Sequence, residues 1–239
     1  MLSRRELLQT LMSSPPVAAL MKEAESLSPL RPTMKRVNVP VAGLDRRLDG
    51  MRIGQISDTH IGAVLGVDHL QTALRLFERE PPDLFVMTGD LLDDVAVGPA
   101  CFELMSRVKA PYGRFFIMGN HDNRAGRDEM VNLSKSYPDG ITSLINEELD
   151  VSVQGARFHI SGVDFPPVRS NFAYKEHISD AFVQQSTVRI ADGDFRLCLV
   201  HHPDNFDAIV SRGIELTLSG HTHGGQVAPL KAITASMFK

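Results

Sequence analysis

Cysteine is scarce in this 239-residue sequence: Cys101 and Cys198 are the only two, and each lies in an apolar stretch. Two such thiols read as buried residues and argue against a disulfide framework or a cysteine-rich structural zinc site. Long apolar runs are absent too. No window of about 18 apolar residues occurs, so no segment reads as a spanning helix. Positive charge is not in excess: 25 Lys and Arg face 29 Asp and Glu, for a formal net charge of −4. That balance gives no general affinity for nucleic acid or an anionic membrane, and a polyanionic ligand must be attracted locally. No lysine–arginine run, internal repeat or low-complexity tract is present. With 43% hydrophobic and 23% charged residues, the chain has the ordinary balance of a globular domain with a real core.

Residues 1–36 are set apart as an N-terminal tail, and 37–239 as the folded domain. The tail contains Ser3-Arg4-Arg5-Glu6-Leu7-Leu8, which resembles a twin-arginine export signal. Gln9, Ser13, Ser14, Pro15 and Pro16 interrupt the apolar region that should follow, so an amphipathic helix over Arg4–Met12 is the other reading. Localisation stays open between export and a cytoplasmic or peripheral-membrane site.

From Val37 onward, strand and helix periods alternate. Arg52–Ser57, Asp83–Thr88 and Arg114–Met118 read as strands. Val67–Glu80 reads as a helix, with Leu70, Ala73, Leu74 and Phe77 on one face, Asp68 as its N-cap and Pro81-Pro82 as its stop. Pro99–Val108 is a second helix, with Pro99 in its first turn. This order implies parallel strands with helical crossovers. Residues 141–163 look different, with short runs broken by Gly155 that suggest an antiparallel meander. Tyr174–Gln184 reads as a helix, and Arg196–Val200 and Glu215–Leu218 as strands.

Polar groups follow five of these apolar runs: Asp58-Thr59-His60, then Asp90, then Asn120-His121-Asp122, then His201-His202, then His221-Thr222-His223. In a parallel sheet the strand C-termini share one rim, where open α/β folds bind ligands. A set of Asp, Asn and His without cysteine suits Mn²⁺, Fe or Zn²⁺. The donors outnumber what one tetrahedral ion needs, so two metals sharing a carboxylate is the economical reading. Glycines at 54, 62, 89, 119, 220, 224 and 225 permit tight turns and close backbone approach. Two divalent ions less Asp58, Asp90 and a bridging hydroxide leave about +1, a cationic pocket in an acidic protein.

Read in order, Asp58 and His60, Gly89-Asp90, Gly119–Asp122, His201 and Gly220–His223 resemble the calcineurin-like metallophosphoesterases over roughly residues 52–227. The resemblance implies a four-layer α/β/β/α sandwich. It also implies hydrolysis of a phosphate ester, a diester or pyrophosphate, by a metal-bridging hydroxide. Asp58, His60 and His223 would bind one metal, Asn120, His201 and His221 the other, and Asp90 would bridge them. His202 is then a neighbour. His121 would act as general acid or electrostatic stabiliser and Asp122 would orient it. The family continues past GHTHGGQV with several more strands, so the resemblance implies a C-terminally shortened sandwich or a fragment.

GHTHGGQV and the twin-arginine-like start resemble a bacterial branch of exported or membrane-associated phosphodiesterases, some described as UDP-2,3-diacylglucosamine hydrolases of lipid A synthesis. That implies a small phosphorylated substrate, such as a lipid-linked or nucleotide-linked pyrophosphate, with peripheral membrane contact and no nucleic acid. A nuclease or phosphomonoesterase of the same fold, or a non-catalytic scaffold, are the rival readings.

Other polar residues have blander readings. His69, His159 and His177 read as satisfied or surface side chains. Asp93 and Asp94 read as loop solvation, with support of the ligands from behind as the alternative, and Met87 and Met118 as core filler. Arg124, Arg127 and Arg169 are placed in loops, with Arg124 the candidate for the substrate phosphate. Asp164 is either a loop cap or a rim residue.

Overall fold

The computed structural model describes residues 32–62, 65–137, 140–165, 180–188 and 194–223. Several readings lie outside these residues: the tail motif and Arg4–Met12, the first part of the Tyr174–Gln184 helix, Arg169, His177, Gly224, Gly225 and the C-terminal stretch. The described part of that helix, 180–185, is helical.

The first sheet is wholly parallel, in the order β1 (Ile53–Ile56), β2 (Leu84–Thr88), β3 (Arg114–Ile117) and β4 (Thr142–Ser143). Three helices make the crossovers: α1 (Val67–Arg79), α2 (Gly98–Ser106) and α3 (Asn120–Lys135). The second sheet holds β5 (Glu147–Val153), β6 (Ala156–Val163), β7 (Phe195–Val200) and β8 (Leu216–Ser219), with α4 (Phe206–Ser211) between the last two. β5 and β6 form an antiparallel hairpin through Gln154-Gly155, both at positive φ, which a tight hairpin turn requires. β6, β7 and β8 run parallel.

Side-chain alternation builds four layers. In β2, Phe85 and Met87 face α1–α3 together with Leu70, Leu74, Phe102 and Met130. Leu84 and Val86 point the other way, into a core shared with Phe158, Ile160, Leu197 and Leu199 of the second sheet. Cys198 and Val200 of β7 face outward against Val183 and Ile209. A strand with apolar residues on both faces needs cover on both faces, which is why β2 is buried at every position. Both cysteines are free and buried, and burial pushes each thiol up to about 12.

Three expectations about the fold are corrected. Residues 141–163 are not one meander: Thr142–Ser143 join the first sheet in parallel, and β6 pairs parallel to β7. The N-cap of α1 is Gly66, and Asp68 sits inside the first turn, where its charge favours the helix dipole. Residues 120–135 form a helix the sequence pattern did not signal, since Gly126 at φ 153° kinks it and its polar face dominates. Arg124 and Arg127 therefore ride on that helix rather than in a loop.

Candidate metal centre

The chain turns sharply after three of the strands that feed the rim, β1, β2 and β8. Asp58, His60, Asp90, His221 and His223 all adopt left-handed backbone angles, with φ of 53°, 46°, 53°, 68° and 51°. Such a conformation costs a non-glycine residue roughly 1–3 kcal/mol and persists where surrounding contacts enforce it. Here the enforcing contacts are visible. Asp58 N–H donates to Gly89 O at 3.0 Å, His60 N–H to Asp90 O at 3.1 Å, and His221 N–H to Asp58 Oδ1 at 2.8 Å. A Cβ on Gly119 would collide with Asp90, and one on Gly220 with Ser57 and Asp58, so both glycines are sterically required.

The two sheets are tied at this rim. Gln55 Nε2 on β1 donates to Ser219 O on β8 at 3.0 Å and to Thr88 Oγ1 at 2.8 Å. His201 Nδ1 lies 2.9 Å from Thr88 O. A ring N–H donated to a carbonyl oxygen leaves the opposite nitrogen, Nε2, as the lone-pair side. His60 is set the same way, with Nδ1 3.0 Å from Asp93 Oδ1.

Two donor sets result. Asp58, His60 and His223 cluster on one side, with His60 Nε2 3.2 Å from His223 Nε2 and His223 Nε2 3.5 Å from Asp58 Oδ1. Asp90, His201 and His221 cluster on the other, with His201 Nε2 3.2 Å from Asp90 Oδ2 and 3.1 Å from His221 Nδ1. Asn120 Oδ1 completes the second set at 3.2 Å from His201 Nε2. Asp90 Oδ2 also lies 3.8 Å from His60 Nε2, so it sits between the sets.

The chemistry of these sets fits cations. Metal bonds of ~2.0–2.2 Å place adjacent donors about 3.0–3.5 Å apart, which is the spacing found. Burial, reinforced by His202 and His201, pushes the His221 imidazole down to about 3, so it stays neutral as a ligand must. Without a cation, burial opposes the Asp90 carboxylate, but the hydrogen bond and charge of a protonated His201 and the His121 N–H outweigh it and hold Asp90 at about 2; a bound cation would take the place of that Nε2 proton.

His121 is placed as expected beside the sets, its ring 4.4 Å from that of His60. The carboxylate that orients it is not Asp122. Asp122 is fully buried at the start of α3 and accepts from backbone N–H groups of Gly119, Leu91 and Leu92 at 2.9, 2.9 and 3.0 Å. Burial pushes its pKa up to about 6 against those bonds. Asp93 takes the orienting place, with Oδ1 2.6 Å from His121 Nδ1. Of the two readings of Asp93, the geometry favours support of the imidazoles over loop solvation. Its spacing from Asp90 was visible, but the fold of 91–94 back towards His60 was not.

Arg124 is exposed, with its guanidinium 3.1 Å from His121 Nε2. Partly exposed Arg127 pairs with buried Asp164, which engages its guanidinium and gives Asp164 a structural partner. His202 Nδ1 accepts from Asp204 N–H, and its ring lies 4.2 Å from that of His221. His159 lies away from the sets, its two ring nitrogens 2.6 and 3.2 Å from Asp150 and Asp194.

A sandwich whose strand ends present two Asp/His/Asn donor sets around one carboxylate defines a candidate dinuclear metalloprotein. The chain belongs to the calcineurin-like phosphoesterase family, whose model matches residues 51–225. Among its relatives, the metallophosphoesterase YkuE of Bacillus subtilis is 32% identical, over 75% of this chain and 60% of that protein. A Helicobacter pylori metallophosphoesterase is 26% identical, over 85% of this chain and 52% of its own length. The Danio rerio transmembrane protein with metallophosphoesterase domain is 29% identical, over 86% of this chain and 48% of its own. The chain thus spans about half to three-fifths of these relatives. No helix among the described residues is long and apolar enough to cross a membrane.

Proposed function

We propose that this chain hydrolyses a phosphate ester, a small diester or pyrophosphate, at a pair of divalent cations of the Mn²⁺, Fe or Zn²⁺ class. Asp58, His60 and His223 would hold one cation, Asn120, His201 and His221 the other, and Asp90 would serve both. The observation that supports this most directly is the position of Asp90 Oδ2, 3.2 Å from His201 Nε2 and 3.8 Å from His60 Nε2. When bound, such a pair supplies positive charge for the phosphoryl oxygens and lowers the pKa of a water towards ~7.

The side chains around the pair do the rest. The Arg124 guanidinium, exposed at the mouth, meets the anionic oxygens of the phosphate and orients it. His121, held at Nδ1 by Asp93, presents Nε2 to the departing oxygen once Arg124 has turned to the phosphate; with both ring nitrogens protonated it gives that oxygen the Nε2 proton and is left as the neutral Nδ1–H ring. Asp93 accepts the Nδ1–H and so fixes which ring nitrogen faces the phosphate. The lipid-linked or nucleotide-linked pyrophosphate implied by the sequence resemblance falls within this substrate class.

The test is a metal titration. The purified chain is stripped with chelator and reloaded with Mn²⁺ while bis-p-nitrophenyl phosphate is turned over. Rate should saturate near two equivalents. Asp90→Asn should fold normally, lose one equivalent and lose at least about a hundredfold in rate. A folded, metal-loaded chain that turns over neither diester nor monoester overturns the reading, and preference for single-stranded DNA would transfer it to a nuclease.

A further inference from the structure

We propose that Phe165 is a specificity-determining residue, a stacking platform for a flat organic group carried by the substrate phosphate, such as an aromatic ring or nucleobase. This rests on the hydrolase reading above. Phe165 follows β6 and belongs to none of the three hydrophobic clusters among the described residues. It is only partly buried. Its ring instead borders the second donor set, with centroids 6.1 Å from His201, 6.2 Å from His202 and 6.4 Å from His221, the last nearly parallel at 29°. An apolar ring left partly exposed at a polar rim, outside the apolar clusters, is available to a ligand there, and a flat group gains most from an aromatic ring by stacking on it.

The backbone beneath Phe165 is over-determined, as a recognition platform needs. Asn123 Nδ2 donates to Phe165 O at 3.0 Å. Arg127 donates to Asn123 Oδ1 at 2.6 Å and also pairs with buried Asp164. Asp164 N–H donates to Asn146 Oδ1 at 2.9 Å. Helix α3, which carries His121 and Arg124, is thereby clamped to the residue before the ring, so phosphate contacts and stacking surface keep a fixed separation.

The test uses two esters with the same leaving group, p-nitrophenyl phenyl phosphate and methyl p-nitrophenyl phosphate, on the Mn²⁺-loaded chain. The chemical step is shared, so their ratio reads only the retained substituent. The wild type should favour the phenyl ester by about tenfold in kcat/KM, mainly through KM. Phe165→Leu, which keeps bulk against the imidazoles but loses the flat face, should erase that preference and change the methyl ester by less than about threefold. Phe165→Tyr should retain it. No preference in the wild type, or equal losses on both esters in Phe165→Leu, would overturn the proposal.

Binding of phenylphosphonate against methylphosphonate, by calorimetry, separates this from the hydrolase reading. Phe165-dependent preference for phenylphosphonate without hydrolysis of either ester keeps the platform and removes the hydrolase. Hydrolysis with equal binding removes the platform alone.

Discussion

His121 Nδ1 and Asp93 Oδ1 lie 2.6 Å apart, and the same oxygen lies 3.0 Å from His60 Nδ1. One carboxylate thus steadies both a donor of the first set and the candidate proton donor. Asp93→Asn should therefore act twice. Without the negative oxygen, His121 loses its preferred tautomer, and kcat should fall by about a hundredfold with little change in KM. Metal affinity at the His60 side should weaken by about tenfold or more. Steady-state rates at saturating Mn²⁺, together with a metal titration, separate the two effects. Unchanged kcat would remove Asp93 from the chemistry.

His223 occupies a left-handed backbone position at φ 51°. Glycine takes that conformation without strain, so His223→Gly exchanges a ligand for backbone relief of about 1 kcal/mol. The metal-free Tm of the variant should equal or exceed that of the metal-free wild type. Stabilisation by added Mn²⁺ should be largely lost. Thermal unfolding with and without metal reads both, and a drop of several degrees in the metal-free variant would contradict the strain argument.

Asp164 is buried and faces the Arg127 guanidinium. Burial pushes the Asp164 pKa up, and Arg127 opposes that shift. Removing only the cation leaves an uncompensated carboxylate, so Arg127→Ala should cost about 3 kcal/mol. Asp164→Asn in the same background should recover a substantial part, because the stranded charge is gone. A double-mutant cycle by urea unfolding measures the coupling. Additive losses would show that the pair is not electrostatically coupled.

At the opposite ends of the strands, Arg196 clasps Glu215 through its guanidinium at 2.6 Å and its backbone N–H at 2.9 Å. Burial tends to raise the Glu215 pKa, but these bonds win and lower it below 4.5. A carboxyl depressed by folding stabilises above its unfolded pKa and loses that contribution as pH falls through the folded value. Glu215→Gln should be less stable than wild type at pH 7 by about 1 kcal/mol. The gap should narrow as pH falls below the unfolded carboxyl value of about 4.3 and through the lower folded value. Tm profiles of the two proteins between pH 7 and pH 3 provide the comparison, and a constant gap would refute the assignment.

Much of the site was readable because strand ends carry it. Asp58, Asp90, Asn120, His201 and His221 each directly follow or nearly follow an apolar run, and parallel strands bring such positions to one rim. The partner of His121 was not readable. Asp122 adjoins it in sequence, but at the start of a helix its carboxylate turns back onto backbone N–H groups. Asp93 lies 28 residues away and reaches His121 only because 91–94 folds against Ile61. Helix α3 has no clear signal in the sequence because Gly126 breaks its apolar period.

By itself the sequence determined local propensities: where apolar runs form strands, where glycine and left-handed turns end them, and which donor chemistry stands at each end. Pairing was decided by tertiary structure alone. Which carboxylate meets which imidazole, that Arg127 neutralises Asp164, and that Phe165 borders the histidines all depend on distances between segments remote in sequence. Those distances are set when two sheets bury their shared apolar face, a constraint that no single stretch of chain encodes.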